Sequence, residues 1–197
     1  IASHAVPGGV DLLVTFSNLT DEPRPVTDLS LGLFAMDSGL RLHDMRLPFW
    51  INYFDYAFNF FTSFGYFRTR REHDDAIRTI AQAIKTNGTF VMDFLNVHYA
   101  EDHLVHQTEK EIDGINFIIT KWYDETHFYK KIIVEDESKD EPLIYTEKVA
   151  KFSLGDFTEM FAYQGLQIQE VFGDYSFSNY DVKKSPRMVM IAKKIKA

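Results

Sequence analysis

From Phe54 the chain reads Phe54-Asp55-Tyr56-Ala57-Phe58-Asn59-Phe60-Phe61, a nearly unbroken apolar and aromatic run. A strand covered by helices on both faces of its sheet reads this way, because neither side has to be polar, so the run predicts a central strand of a parallel sheet. Asn59 is the one amide within it. Thr62, Ser63 and Gly65 follow where such a strand reaches its carboxyl end, the edge at which open α/β sheets hold ligands. From Arg70 to Thr86 the period becomes helical, with Ile77, Ile80, Ala81 and Ile84 on one face and Asn87-Gly88 as the stop. Thr89 to Leu95 then reads as another buried strand. Strand, crossover helix and strand make a right-handed parallel unit.

Farther on the pattern changes again. Ile115 to Tyr123, Thr126 to Glu135 and Leu143 to Phe152 predict three strands, joined by Asp124-Glu125 and by an acidic loop around Asp136 to Pro142. Their antiparallel meander, an insertion over residues 115–152, interrupts the α/β alternation. Ser153-Leu154-Gly155-Asp156 has capping-box spacing, with Phe152 and Phe157 at the staple positions, and predicts a helix that Gly165 ends. Gln167 to Phe172 and Arg187 to Lys193 predict two closing strands, and Gly173 to Ser185 is a polar, tyrosine-rich loop between them.

Composition narrows the class. The 197 residues are 45% hydrophobic and 15% aromatic, enough for a full core and consistent with a single domain over 1–197. A formal charge of -8 with 18 Phe and no basic block argues against nucleic acid as substrate, because phosphate contacts need clustered Lys and Arg. Zero Cys removes disulfides, thiolate metal sites and a cysteine nucleophile together. No apolar run is long enough to span a membrane and no signal-peptide pattern opens the chain, so a cytoplasmic location is expected.

Four stretches carry a family resemblance. His43-Asp44-Met45-Arg46-Leu47-Pro48-Phe49, the run from Phe54 to Phe67, Asn87 to Phe94, and Ser185 to Lys194 resemble the third, fourth, fifth and last strands of class I S-adenosylmethionine-dependent methyltransferases, small-molecule methyltransferases of the methyltransferase-domain 11/25 type. The resemblance covers roughly Val26 to the C-terminus. It implies an α/β, Rossmann-like, mostly parallel sheet with helices on both faces and an antiparallel C-terminal edge. It also implies S-adenosylmethionine as cofactor and methyl transfer to an N or O nucleophile of a small molecule. In similar enzymes an insertion such as 115–152 walls or lids the acceptor pocket and can carry a homodimer contact.

Residue by residue, the resemblance implies that Asp28 takes the cofactor's ribose hydroxyls, and that Asp44 and the backbone amide of Met45 meet its adenine. A carboxylate suits the adenine amino group because it is acceptor-only. Asn59 and Phe60 fall at the methionine end. For Asp28 the alternative is a helix cap, and for Asp44 a surface pair with Arg46. Tyr66 and Tyr175 are candidates to orient an acceptor, while Tyr66, Trp122 and Arg187 are candidates for its pocket. Aromatic residues in a meander also serve as plain packing.

The N-terminal part departs from the family. A strand, an acidic-x-Gly-x-Gly-x-Gly loop and a helix should open the fold, and no such loop exists here. Gly8-Gly9 reads as a turn, Val10 to Phe16 as a strand, and Leu31 to Leu40 as a short helix between the second strand, ending at Ser30, and a third at Arg41 to Arg46. Ile1 to Arg41 is too short for the strand-helix units that a parallel sheet needs, at about 30 residues each. The cofactor-loop region is therefore expected to be incomplete. Without that loop, a catalytically silent, methyltransferase-like binding protein is the alternative reading. His103 and His106 share a helix face with Tyr99 and Asp102 nearby, but zinc wants three placed ligands, so no metal is expected.

Overall fold

The computed structural model describes residues 12–17, 30–36, 39–48, 50–136 and 141–195. Among them are eleven strands in two sheets and three helices, a mixed α/β architecture. The run that opens the reading above is β4, Phe54–Asn59, and it is central: it pairs in parallel with β5, Ile84–Leu95, on one side and with β1, Leu12–Ser17, on the other. Beyond β1 lie β2, Ser30–Met36, and β3, Gly39–Asp44. Beyond β5 lie β11, Arg187–Lys194, and β10, Leu166–Phe172, both antiparallel as expected.

Two features of the anticipated sheet are corrected. Of the six strand pairings in the seven-stranded sheet only β1/β4 and β4/β5 are parallel, so the sheet is not mostly parallel. Of the stretch expected as a helix, Leu31 to Leu40, residues 31–36 lie in β2 and 39–40 in β3, two residues apart in the chain. A two-residue link explains this, because parallel neighbours need a crossover of a dozen or more residues while antiparallel ones need only a hairpin. Asp28 and the rest of the stretch from Val26 to Leu29 lie outside the described residues.

The helix α1, Arg70–Ala83, opens on a reciprocal capping box between Thr69 and Glu72 and ends three residues short of the expected Thr86. Asn87 (φ 66°) and Gly88 instead sit inside β5, where the register against β4 slips between Phe54 and Tyr56. A Cβ on Gly88 would lie 2.4 Å from Ile84 and 2.9 Å from the Asp55 carbonyl, so the strand can kink here only without a side chain. The other long helix, α3, Leu154–Tyr163, has the anticipated box between Ser153 and Asp156.

Both long helices lie on one face of the sheet. Phe157 and Phe161 of α3 pack on Phe94 and Phe90 of β5, and Arg70 at the start of α1 reaches Asp156 and Glu159 of α3. The opposite face carries a row of Tyr56, Phe58 and Phe60, stacked in sequence, with Tyr56 exposed and Phe58 half-buried. Helices on both faces are therefore not found among the described residues.

The inserted meander is a separate four-stranded antiparallel sheet. Its strands are β6, Gln107–Ile112, β7, Ile115–Tyr123, β8, His127–Glu135, and β9, Leu143–Ala150. β6 is the addition to the sequence reading: it is polar and almost wholly exposed, so no alternation announces it. The short α2, Val97–Asp102, connects the two sheets. Where the chain passes from β4 toward α1, Gly65 (φ 104°) abuts β9, and its carbonyl accepts from the Ala150 amide at 2.8 Å.

Candidate functional site

Strand order reverses between β1 and β4: from β1 the chain proceeds outward to β2 and β3, and from β4 in the other direction to β5. In an open α/β sheet the crevice outside the carboxyl ends of strands at such a switch point is where ligands bind. The residues leaving β4 therefore define the site. Phe61 (φ 58°) and Thr62 (φ 57°) are consecutive left-handed non-glycine residues, a conformation that costs about 1–3 kcal/mol each and collects at functional sites.

What holds this turn is a buried carboxylate on the neighbouring strand. Asp93 of β5 is fully buried, and its Oδ2 accepts from the Phe61 amide at 2.7 Å and from the Tyr175 hydroxyl at 2.9 Å. Its Oδ1 accepts from Nε and Nη2 of Arg187 at 2.8 and 2.6 Å. The same Nη2 reaches the Thr62 hydroxyl at 3.0 Å, and the Thr62 amide donates to the Asp93 carbonyl at 3.1 Å. Hydrogen bonds to an ionised group contribute about 1.5–3 kcal/mol each, enough together to offset the strained turn. A buried charge left alone would be costly, and here every donor is in place.

Two further groups complete this edge. Asn96, at the end of β5, is fully buried and donates through Nδ2 to the carbonyls of Val182 and Ser185, at 2.9 and 2.8 Å. It fastens the loop between β10 and β11 to the strand end. Gly173 closes that loop's other end against Ser185, whose Oγ would be 2.1 Å from an added Cβ. Tyr175, 58% exposed, and Phe61, 70% exposed, face each other with ring centroids 6.4 Å apart at 74°. The Arg187 guanidinium lies 5.8 Å from the Tyr175 ring centroid.

The anticipated site residues fall in several places. Asn59 is buried at the end of β4, and Phe60 is stacked between Phe58 and Phe61, so both border the strained turn. Tyr175 and Arg187 meet on Asp93. Asp44, ending β3, is held by Arg46 through Nε and Nη2, the shortest contact being 2.7 Å, and Arg46 also pairs with Glu72 of α1. The Met45 carbonyl accepts from the Thr79 hydroxyl beneath it. Tyr66 is half-buried beside β9, where burial and the charge of Glu147 push its phenol up to about 12. Trp122 lies flat on Tyr129 in the second sheet, 5.2 Å away at 5°. Neither Tyr66 nor Trp122 touches the Asp93 network.

Asp93, Phe61, Thr62 and Asn96 had no role in the sequence reading beyond position. The available signal was Asp93 itself, the one acid in Phe90-Val91-Met92-Asp93-Phe94-Leu95, since a carboxylate in a buried strand must find partners. Among the described residues no group of three metal-ligating side chains converges, and His103 stacks on Tyr99. No described helix is long and apolar enough to cross a membrane.

No protein-family model and no curated sequence matches the chain. Solved structures do. The CcbJ methyltransferase from Streptomyces caelestis is similar with a TM-score of 0.66 and 17% identity, over 79% of this chain and 63% of that one. SAM-bound CalS10, an amino pentose methyltransferase from Micromonospora echinaspora, has a TM-score of 0.56 and 14% identity, over 77% and 63%. The sugar N-methyltransferase KedS8 from a Streptoalloteichus species has a TM-score of 0.57 and 12% identity, over 78% and 61%. The fold is that of S-adenosylmethionine-dependent methyltransferases. The chain spans less than two thirds of the length of these three structures. Toward such a cofactor the fold offers the Phe60–Ser63 turn at the switch point, while Asp44, at a strand's carboxyl end, is taken up by Arg46. The glycine loop is not part of that offer, since no glycine stands between Ser17 and Ser30, from the end of β1 to the start of β2.

Proposed function

We propose that this chain carries out methyl transfer from S-adenosylmethionine to an N or O nucleophile on a small molecule. The observation that carries the reading is the Asp93 network. A strained turn at the switch point, held by a fully buried carboxylate, is a rigid and costly construction on the edge where this fold takes its ligands.

The cofactor, when bound, supplies an electrophilic sulfonium methyl. The protein's task is then to orient donor and acceptor and to exclude water, with little covalent help. In this reading Asn59 and Phe60 border the methionine end, Asp44 and the Met45 amide the adenine, and Asp28 the ribose. Asp44 already accepts four bonds from the Arg46 amide and guanidinium, so in this reading the adenine amino group displaces part of that pairing on binding. Neither tyrosine suits the role of base at neutral pH: the Tyr66 phenol is pushed up to about 12, and burial and its bond to Asp93 raise that of Tyr175. An amine acceptor that arrives deprotonated fits this arrangement, and an amino sugar fits the neighbours named for sugar and amino pentose methylation. Arg187 and Tyr175 belong to the acceptor wall, and the second sheet, with Trp122, to its surroundings or to a homodimer contact.

Calorimetry of the chain with S-adenosylhomocysteine tests the cofactor, and transfer of labelled methyl from S-adenosylmethionine to a panel of amino sugars tests the reaction. Binding together with methyl incorporation is expected. No binding and no incorporation would overturn the reading in favour of a silent module of the same fold.

A further inference from the structure

We propose that Asp93 is a positioning residue that joins the β4 exit to the β10–β11 loop, and that the Phe61–Tyr175 corner it creates recognises an acceptor ring through its apolar C–H face. The inference rests on the methyl-transfer reading for its ligand, and on geometry for the corner itself.

Three segments far apart in sequence meet on one carboxylate. Oδ2 takes the backbone of Phe61 and the hydroxyl of Tyr175, so one atom fixes the main chain beneath one ring and the polar tip of the other. Oδ1 takes Arg187, whose Nη2 returns to Thr62 and closes the circuit. Two large rings are thereby held nearly perpendicular, at 74°, and left mostly open to solvent. Exposed aromatic rings ordered in this way are unusual. Phe61 sits on a left-handed backbone whose amide is held by Asp93, and its ring stays 70% exposed.

The chemistry of the corner selects its ligand. Arg187 and Asp93 neutralise each other at 2.6 Å, so the wall offers no net charge to an anionic group. It offers two π surfaces at right angles, which suit a compact ring that rests an apolar face on one and its edge against the other. A sugar ring bearing an amine meets that description: its C–H face stacks, and its amine is left free to point toward the Phe60–Ser63 turn.

Two measurements on the whole chain test this. Hydrogen exchange read by mass spectrometry in Asp93→Asn is expected to speed up in both 60–64 and 173–178, with β10 unchanged. Tyr175→Phe, a milder change that keeps the ring, is expected to do so in 173–178 and, through Asp93, in 60–64. Acceleration confined to one segment in both variants would overturn the joint. For the corner, Phe61→Ala and Tyr175→Ala are expected to raise the KM of an amino sugar from the panel by roughly tenfold with kcat little changed. The affinity for S-adenosylhomocysteine should stay the same, and Tyr175→Phe, which keeps the ring but loses its anchor on Asp93, should raise the KM clearly less than Tyr175→Ala. An unchanged KM in Phe61→Ala would overturn the corner's role. If the parent chain turns over no amino sugar, titration of D-glucosamine against parent and Phe61→Ala decides the corner separately: loss of binding supports it, and equal or absent binding overturns it.

Discussion

The covered face of the main sheet and its carboxyl edge are built on different principles, although β5 contributes to both. On the face, Phe90 and Phe94 meet Phe157 and Phe161, with Phe64, Phe152 and His73 beside them, and what holds the region is volume filled by rings. At the edge, Asp93 gathers donors from three segments, and what holds the region is direction. A packed face tolerates any shape that fills it, whereas the edge tolerates only atoms that donate. The same strand serves both because its side chains alternate: Phe90, Met92 and Phe94 point one way, and Asp93 the other.

The most severe way to break the contrast is on the packed side. Phe157→Ala removes a fully buried ring touching Phe64, Phe94, Phe152 and Phe161, and is expected to cost about 3–5 kcal/mol in urea unfolding. At the edge, Arg187→Met leaves Asp93 a buried charge without its cation, with an expected loss of about 3 kcal/mol, the low end for such pairs because Arg187 is partly solvated. The sharper test is the double variant. Adding Asp93→Asn to Arg187→Met should recover part of that loss, whereas no second substitution of a polar group should rescue Phe157→Ala.

His73 brings titration into the packed region. Burial among Phe64, Phe67 and Phe152 lowers its pKa from 6.5 to about 4, an effect that its bond to the Thr69 carbonyl only partly offsets. The unfolded chain takes up that proton near pH 6.5 and the folded one only near pH 4, so stability is full above pH 6.5 and falls as pH drops between the two. The expected loss is on the order of 2 to 3 kcal/mol, seen as a falling Tm over that window and flattened in His73→Phe. The smallest effect belongs to a helix end: Ser153→Ala deletes one arm of the α3 capping box and should cost about 1 kcal/mol.

Legibility in the sequence follows the range of the interactions. The α3 box is legible because Ser153 and Asp156 are three residues apart and the bonds between them are local to the chain. β5 was readable as a strand from Thr89, but its beginning was not, because Ile84 satisfies a helical face and a strand equally well. The hairpin of β2 and β3 is illegible for a similar reason: Leu31-Gly32-Leu33-Phe34-Ala35-Met36 is too short an apolar run for its period to decide between helix and strand. The site is the extreme case. Arg187 and Asp93 are 94 residues apart, and nothing local to either names the other, so Arg187 and Tyr175 could be suspected one by one while the carboxylate that unites them passed as part of a strand.

Asn96 has a consequence for how this edge endures its surroundings. One amide side chain clasps the β10–β11 loop through two carbonyls, in a chain that contains zero Cys. Where another protein would cross-link such a loop through sulfur, this one closes it with a bond that needs neither oxidant to make nor reductant to break. The loop's closure is therefore blind to the redox poise of its compartment.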